Sequence, residues 1–184
     1  TELPKSKSPS PPSSPSPSSP PPRSPFGLLE EILWRDEYKL LVACMTLNVT
    51  TRANVDAVLW RLFHFFPDAH AAAAALDDPD KIGLLETILQ PLGLHRKRAN
   101  RMCHLARTWI DAHLAQGHDL ASSTLPPLDK PTVAALYGVG DYTADAYDLF
   151  IRRNVDPALP PRDHALRWYA GWVLERRRRG THRT

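Results

Sequence analysis

Cysteine is nearly absent from this chain of 184 residues, with Cys44 and Cys103 the two present. Both fall within apolar helical patterns, where a free thiol behaves as a small buried hydrophobe, so reduced core cysteines are expected. Two thiols cannot furnish the four thiolates of an iron–sulfur cluster, and no metal centre is expected. No apolar run approaches the length of a membrane span. No charged start followed by an apolar stretch marks a secretory signal, and a soluble intracellular protein is expected. Period-two alternation of apolar and polar residues is missing as well, which argues against strands, and no internal repeat stands out. A strong charge of one sign is also lacking: the net charge is +3, and Lys5, Lys7 and Arg23 against Glu2 place two units of it before residue 25. Bulk charge therefore does not single out nucleic acid as a partner.

Proline and serine dominate Pro4 to Pro25, with almost no large apolar side chain between Leu3 and Phe26. Such a run cannot bury enough apolar surface to offset its ordering entropy. Residues 1–24 are expected to be a disordered or polyproline-II-like linker, 25–180 the folded domain and 181–184 a tail. A linker beginning at Thr1 predicts a fragment whose missing part held another module.

From Phe26 onward the apolar spacing is helical. Ser24 before Pro25 predicts a capped first helix carrying Phe26, Leu29, Ile32 and Leu33. Asp36 predicts the cap of a second helix with Leu40, Leu41, Cys44 and Leu47, apolar nearly all round and so central to the core. Thr50 or Thr51 opens a third helix ended by Pro67, Asp68 caps an alanine-rich turn, and Asp78-Pro79 starts another helix. After the break at Pro91-Leu92-Gly93-Leu94, a long basic amphipathic helix runs from about His95 to Gln116, with Gly117 as its stop. Asp129 predicts a short helix through Leu136, Asp141 starts its partner, and the last helix holds Leu166, Trp168, Tyr169, Trp172 and Leu174. An all-α fold follows.

Basic residues cluster at His95-Arg96-Lys97-Arg98 with Arg101, at Arg152-Arg153 and at Arg176 to Arg179. These clusters could track phosphates or form solvated helix faces. Between two helix-forming runs lies Leu136-Tyr137-Gly138-Val139-Gly140-Asp141-Tyr142. Its two glycines can take φ > 0 and allow close backbone approach. The next helix opens with bare N–H groups and a positive dipole end, which suits a phosphate. A tight helix–helix connection is the alternative. Downstream, Pro161-Arg162-Asp163-His164 carries an acidic residue placed to cap the last helix.

The order helix, Gly-turn, helix, loop, Asp, helix resembles that of the helix-hairpin-helix DNA glycosylases. Within that superfamily the likeness is to the glycosylase domain of the methyl-CpG-binding thymine DNA glycosylases. It is carried by Pro22-Arg23-Ser24-Pro25-Phe26, Trp34 through Leu41, Leu47-Asn48 with Thr50, Pro91-Leu92-Gly93-Leu94, Gly138-Val139-Gly140-Asp141-Tyr142, and Asp163-His164 with Leu166 and Tyr169. The resemblance implies a compact bundle of about eight to ten helices with a DNA-facing cleft.

It also implies a monofunctional glycosylase of base excision repair, acting on a flipped thymine or uracil opposite G and leaving an abasic site. Asp163 would be the catalytic carboxylate, stabilising positive charge on the deoxyribose and orienting water. Tyr142 occupies the position of the Lys that bifunctional relatives use to attack the sugar. A Tyr cannot form a Schiff base, and in this family it lines the base pocket, where its ring can stack on an extruded base. Leu94 matches the family's apolar wedge, or it is a hydrophobic staple at the next helix start. Gly138, Val139, Gly140, Arg52, Arg96, Arg98 and His164 are expected on the DNA.

Three positions depart from the family. Glu30 stands where the family carries a Gln that reads the pyrimidine, and a carboxyl group reads an acceptor edge only when protonated; otherwise Glu30 is a solvated helix residue. Val49 replaces an inserted Arg, with Arg52 a shifted substitute, and Ala165 replaces a Lys. These departures keep two alternatives open: a DNA-binding domain that does not cut, and a glycosylase with altered modified-pyrimidine preference. The resemblance further implies double-stranded DNA as partner, a monomer, no membrane and no required cofactor. A monovalent cation at the hairpin is allowed, and a nuclear location is expected.

Overall fold

The structure is a computed structural model that describes residues 20–122 and 124–181. The proposed linker over 1–24 lies mostly outside the described residues, as does all but the first residue of the 181–184 tail. Among the described residues there are nine α-helices: α1 (Glu30–Leu33), α2 (Glu37–Leu47), α3 (Arg52–Phe65), α4 (Ala69–Ala74), α5 (Pro79–Leu89), α6 (His95–Ala115), α7 (Lys130–Ala135), α8 (Asp141–Phe150) and α9 (His164–Thr181). Short 3₁₀ turns follow α4 and α5, and there is no strand among the described residues. None of the described helices is long and apolar enough to cross a membrane.

Short polar side chains set most helix starts, because each satisfies an amide that the helix itself cannot. Asp36 accepts from Lys39 N at 3.0 Å, Asp68 from Ala71 N at 2.8 Å and Asp129 from Thr132 N at 2.8 Å. Thr51, rather than Thr50, caps α3.

Three helices, α1, α6 and α8, start without such a cap, and α1 departs from the expectation. Ser24 does not cap it; its hydroxyl and amide instead donate to the Glu31 carboxylate at 2.5 and 2.7 Å. Gly27 takes φ +62°, so the chain turns before α1 begins. The expected helix from Pro25 is thus shortened to a single turn.

α2 is the central helix, with Tyr38 and Leu40 through Thr46 all buried, and α1, α3, α6 and α8 pack around it. Cys44 and Cys103 are free and buried in this core. A polar cluster fixes α8 against α2 and α6. The Tyr147 hydroxyl donates to Glu37 and accepts from Leu128 N at 2.9 Å, while His113 Nε2 lies 3.1 Å from the other Glu37 oxygen. These contacts hold the α7–α8 hairpin in a fixed position over α6.

Candidate active site

Three elements bring one side chain each to a common point, Glu30 from α1, Cys44 from α2 and Tyr142 from α8, and Asp163 stands at the start of α9. Glu31, bound to Ser24 and to Leu28 N, pins one side of α1 and leaves Glu30 facing inward, 1% exposed. Its Oε1 accepts from the Tyr142 hydroxyl at 2.5 Å and from the Cys44 thiol at 3.6 Å. A solvated Glu30 is thereby overturned. Burial first, and then the charge of Glu30, push the Tyr142 phenol and the Cys44 thiol well above their ordinary ranges, so both remain protonated donors. Asp163 also raises Tyr142, which puts its carboxylate within electrostatic reach of the ring.

Asp163 caps α9, with Oδ1 accepting from Ala165 N at 2.8 Å and Leu166 N at 3.0 Å. Its side chain stays 28% exposed, and Oδ2 lies 3.7 Å from His164 Nδ1. Cap and exposed carboxylate are one arrangement: two amides fix one oxygen, and the direction of the other follows.

The turn between α7 and α8 closes with Val139 N donating to Leu136 O at 3.2 Å. Its glycines differ. Gly138 has φ +77°, and a Cβ there would meet Arg101 Cγ at 2.6 Å. Gly140 has φ −111°, and a Cβ there would meet nothing within 4 Å. The expectation that both glycines serve positive φ therefore holds for Gly138 alone. Val139 packs partly against the core. No side chain caps α8, and Asp141 in its first turn pairs with Arg162 at 2.6 Å.

The cationic residues divide. Arg96 is exposed, in a loose 3.6 Å contact with Glu86. Arg52 is paired, its Nε 2.6 Å from Asp56 and its Nη1 donating to Gly27 O at 2.9 Å. Arg98, expected beside DNA phosphates, is buried instead. Its guanidinium donates to the carbonyls of Gly93, Met45, Thr46 and Asn48, satisfying the open end of α2. This is a correction, because those bonds leave no free edge for a phosphate.

Leu94 and Val49 are both exposed. His164 is exposed and meets the edge of Trp168, which in turn stacks on Phe26 with ring centroids 6.2 Å apart. Trp168, expected in the apolar helical stripe, lies at the surface with Phe26. The sequence offered no signal for this ledge, because Phe26 and Trp168 sit in separate helical patterns more than 140 residues apart.

These contacts form a chain of neighbours through several of the expected residues. Arg101 lies over Gly138, Asp141 reaches Arg162, Asp163 follows it, and His164, Trp168 and Phe26 lead to Gly27, Arg52 and the turn at Val49. From there Arg98 leads back to α6. Among the described residues, no three His, Cys, Asp or Glu side chains converge as metal ligands.

No protein-family model matches the chain. Individual relatives do. The chain is 33% identical over 147 residues to a methyl-CpG-binding domain protein 4-like protein of Arabidopsis thaliana, a match covering 80% of this chain and 28% of that protein. It is 29% identical over 133 residues to a thymine-DNA glycosylase of Aeropyrum pernix, covering 71% of this chain and 53% of that one. The chain belongs to the helix-hairpin-helix DNA glycosylase superfamily. It spans between about a quarter and a half of the length of these relatives. The Gly-turn joins α7 to α8, and Asp163 lies downstream of it at the start of α9.

Proposed function

We propose that this chain is a monofunctional DNA glycosylase of base excision repair, hydrolysing the N-glycosidic bond of a thymine or uracil mispaired with G. The observation that carries the reading is the Asp163 carboxylate, fixed by two α9 amides and partly exposed at the start of that helix. As the C1′–N bond breaks, the base leaves with the bonding pair and the deoxyribose becomes cationic. Asp163 opposes that charge and orients the water that adds to C1′. The products are a free base and an abasic site.

Tyr142 offers a π-face to the extruded base. Glu30 acts behind it, fixing the phenol's direction through the 2.5 Å bond. With Tyr rather than an amine at this position, no Schiff base forms and the strand stays intact. Double-stranded DNA is the partner, contacted by the hairpin backbone and by Arg96 and His164. A monovalent cation at the turn would be held by main-chain carbonyls, with no step passing through it. A monomer working in the nucleus fits this chemistry and the basic run Arg176 to Arg179.

Duplexes containing G·T, G·U or modified pyrimidines opposite G, incubated with the protein and then treated with alkali, test the reading. Strand cleavage on G·T and G·U that depends on alkali is expected. A gel shift without an abasic product on any duplex would establish the non-cutting alternative, and cleavage before alkali would contradict the monofunctional assignment. Excision confined to the modified pyrimidines would redirect the substrate.

A further inference from the structure

The N-terminal end of α2 opens into a cleft of about 820 Å³, a size that suits a ligand. Trp34, Tyr38, Trp109, Leu125 and Ile151 supply its apolar walls. Tyr38 and Trp109 are 3% and 7% exposed, and their rings meet with centroids 5.8 Å apart. Among the described residues, neither the Tyr38 hydroxyl nor Trp109 Nε1 has an acceptor. Two buried donors left unpaired in one wall are unfavourable, and neither serves the glycosidic chemistry. A ligand that brings acceptors removes the penalty.

The charges around the cleft narrow the choice of ligand. Burial, with Cys103, Asp68 and Asp36 adding to it, pushes the Tyr38 phenol well above its ordinary range, so it stays a donor. Asp36 and Asp68 stand in the cleft lining and oppose an anion. The fitting occupant therefore presents neutral carbonyls, apolar surface and positive charge. Proline has no N–H, so a run of it offers acceptors alone. Its polyproline-II form is preorganised and suits aromatic grooves.

This chain carries such a run next to the cleft. Residues 4–19 hold six prolines, with Lys5 and Lys7 and no acid. Where the described chain starts, Pro20, Pro21 and Pro22 lie in a groove with Arg153, Tyr169 and Val173. The Tyr169 hydroxyl donates to Pro22 O at 3.4 Å, as a groove for prolyl carbonyls requires. Arg153 then stacks on Trp34 at 4.7 Å, and Trp34 is a wall of the cleft. The two grooves thus share a boundary. In the polyproline-II form residues 4–19 span about 50 Å, ample to cross it.

We propose that the cleft at the N-terminal end of α2 is the docking site of this chain's own segment 4–19, with prolyl carbonyls accepting from Tyr38 and Trp109. Docking there holds the segment at the end of α2 opposite Arg98. The proposal is independent of the glycosylase reading.

The test uses the full chain with a nitroxide on Ser13→Cys; Cys44 and Cys103 are buried and stay unlabelled. Its readout is the set of tryptophan indole N–H resonances. Those of Trp34 and Trp109 are expected to broaden, while that of Trp60, exposed on α3 and outside the cleft, stays sharp. Replacing Pro11, Pro12, Pro15 and Pro17 together by serine is expected to abolish the broadening. Excess unlabelled peptide of residues 4–19 is expected to abolish it too. Tyr38→Phe removes an unpaired donor in the serine variant and a paired one in the parent. It is expected to raise the urea midpoint in the first and not in the second.

Sharp Trp34 and Trp109 signals in the labelled parent overturn the proposal, and so does broadening that survives the four serines. Broadening of an isotope-labelled chain by a nitroxide on a separate chain would place the segment in a second copy and overturn docking within one chain. If Tyr38→Phe does not fold, the serine variant decides alone, since its substitutions lie outside every helix.

Discussion

At the scale of single residues, the pocket is organised by one oxygen. Glu30 Oε1 accepts from both Tyr142 and Cys44, and the carboxyl group is sealed from solvent behind them. A buried acceptor that loses a donor retains its desolvation penalty, so Tyr142→Phe should cost about 1–3 kcal/mol in urea denaturation. A change near zero would mean that the hydrogen bond is not made in solution. The same contact explains why Glu30 resisted interpretation from sequence. Its neighbours come from helices 14 and 112 residues away, and nothing local distinguishes a buried glutamate on a one-turn helix from a solvated one. Arg98 misled for a similar reason. A basic run shows that positive charge is present, but three of the four carbonyls that engage this guanidinium lie about 50 residues earlier in the chain.

At the scale of elements, capping was legible and turn geometry was not. Asp36, Asp68, Asp78, Asp129 and Asp163 all cap the helices predicted from them, because an N-cap is settled within four residues. The hairpin shows the limit, since two glycines of equal standing in sequence perform different tasks. Gly138→Ala should cost about 1–2 kcal/mol, as φ +77° and the Arg101 side chain both oppose a Cβ. Gly140→Ala should cost less than about 0.5 kcal/mol, since its Cβ enters open space. If that open space is where a DNA phosphate approaches, Gly140→Ala should nevertheless weaken duplex binding. Parental binding by Gly140→Ala would remove the hairpin backbone from the interface.

At the scale of the whole molecule, a core built on α2 and α6 holds the site's elements together, and its buried acids tie stability to pH. Burial pushes the Cys103 thiol from its ordinary 9.0 up to about 11. Between those values the unfolded chain has released a proton that the fold retains. The contribution is therefore fully present below about pH 9 and is lost as pH rises toward 11. The raised Tyr38, Cys44 and Tyr142 act in the same direction. The urea midpoint should fall from about pH 8 to about pH 10.5, and fall less in Cys103→Ala; equal falls would assign the effect to other groups.

The assembled face has one chemical centre, and its most direct test is single-turnover excision on a G·U duplex by the parent chain and by Asp163→Asn. Asparagine caps a helix as well as aspartate does, so the fold and the DNA affinity should be unchanged. The loss of charge should slow excision by about 10²- to 10⁴-fold. Excision by Asp163→Asn at the parental rate would contradict the account.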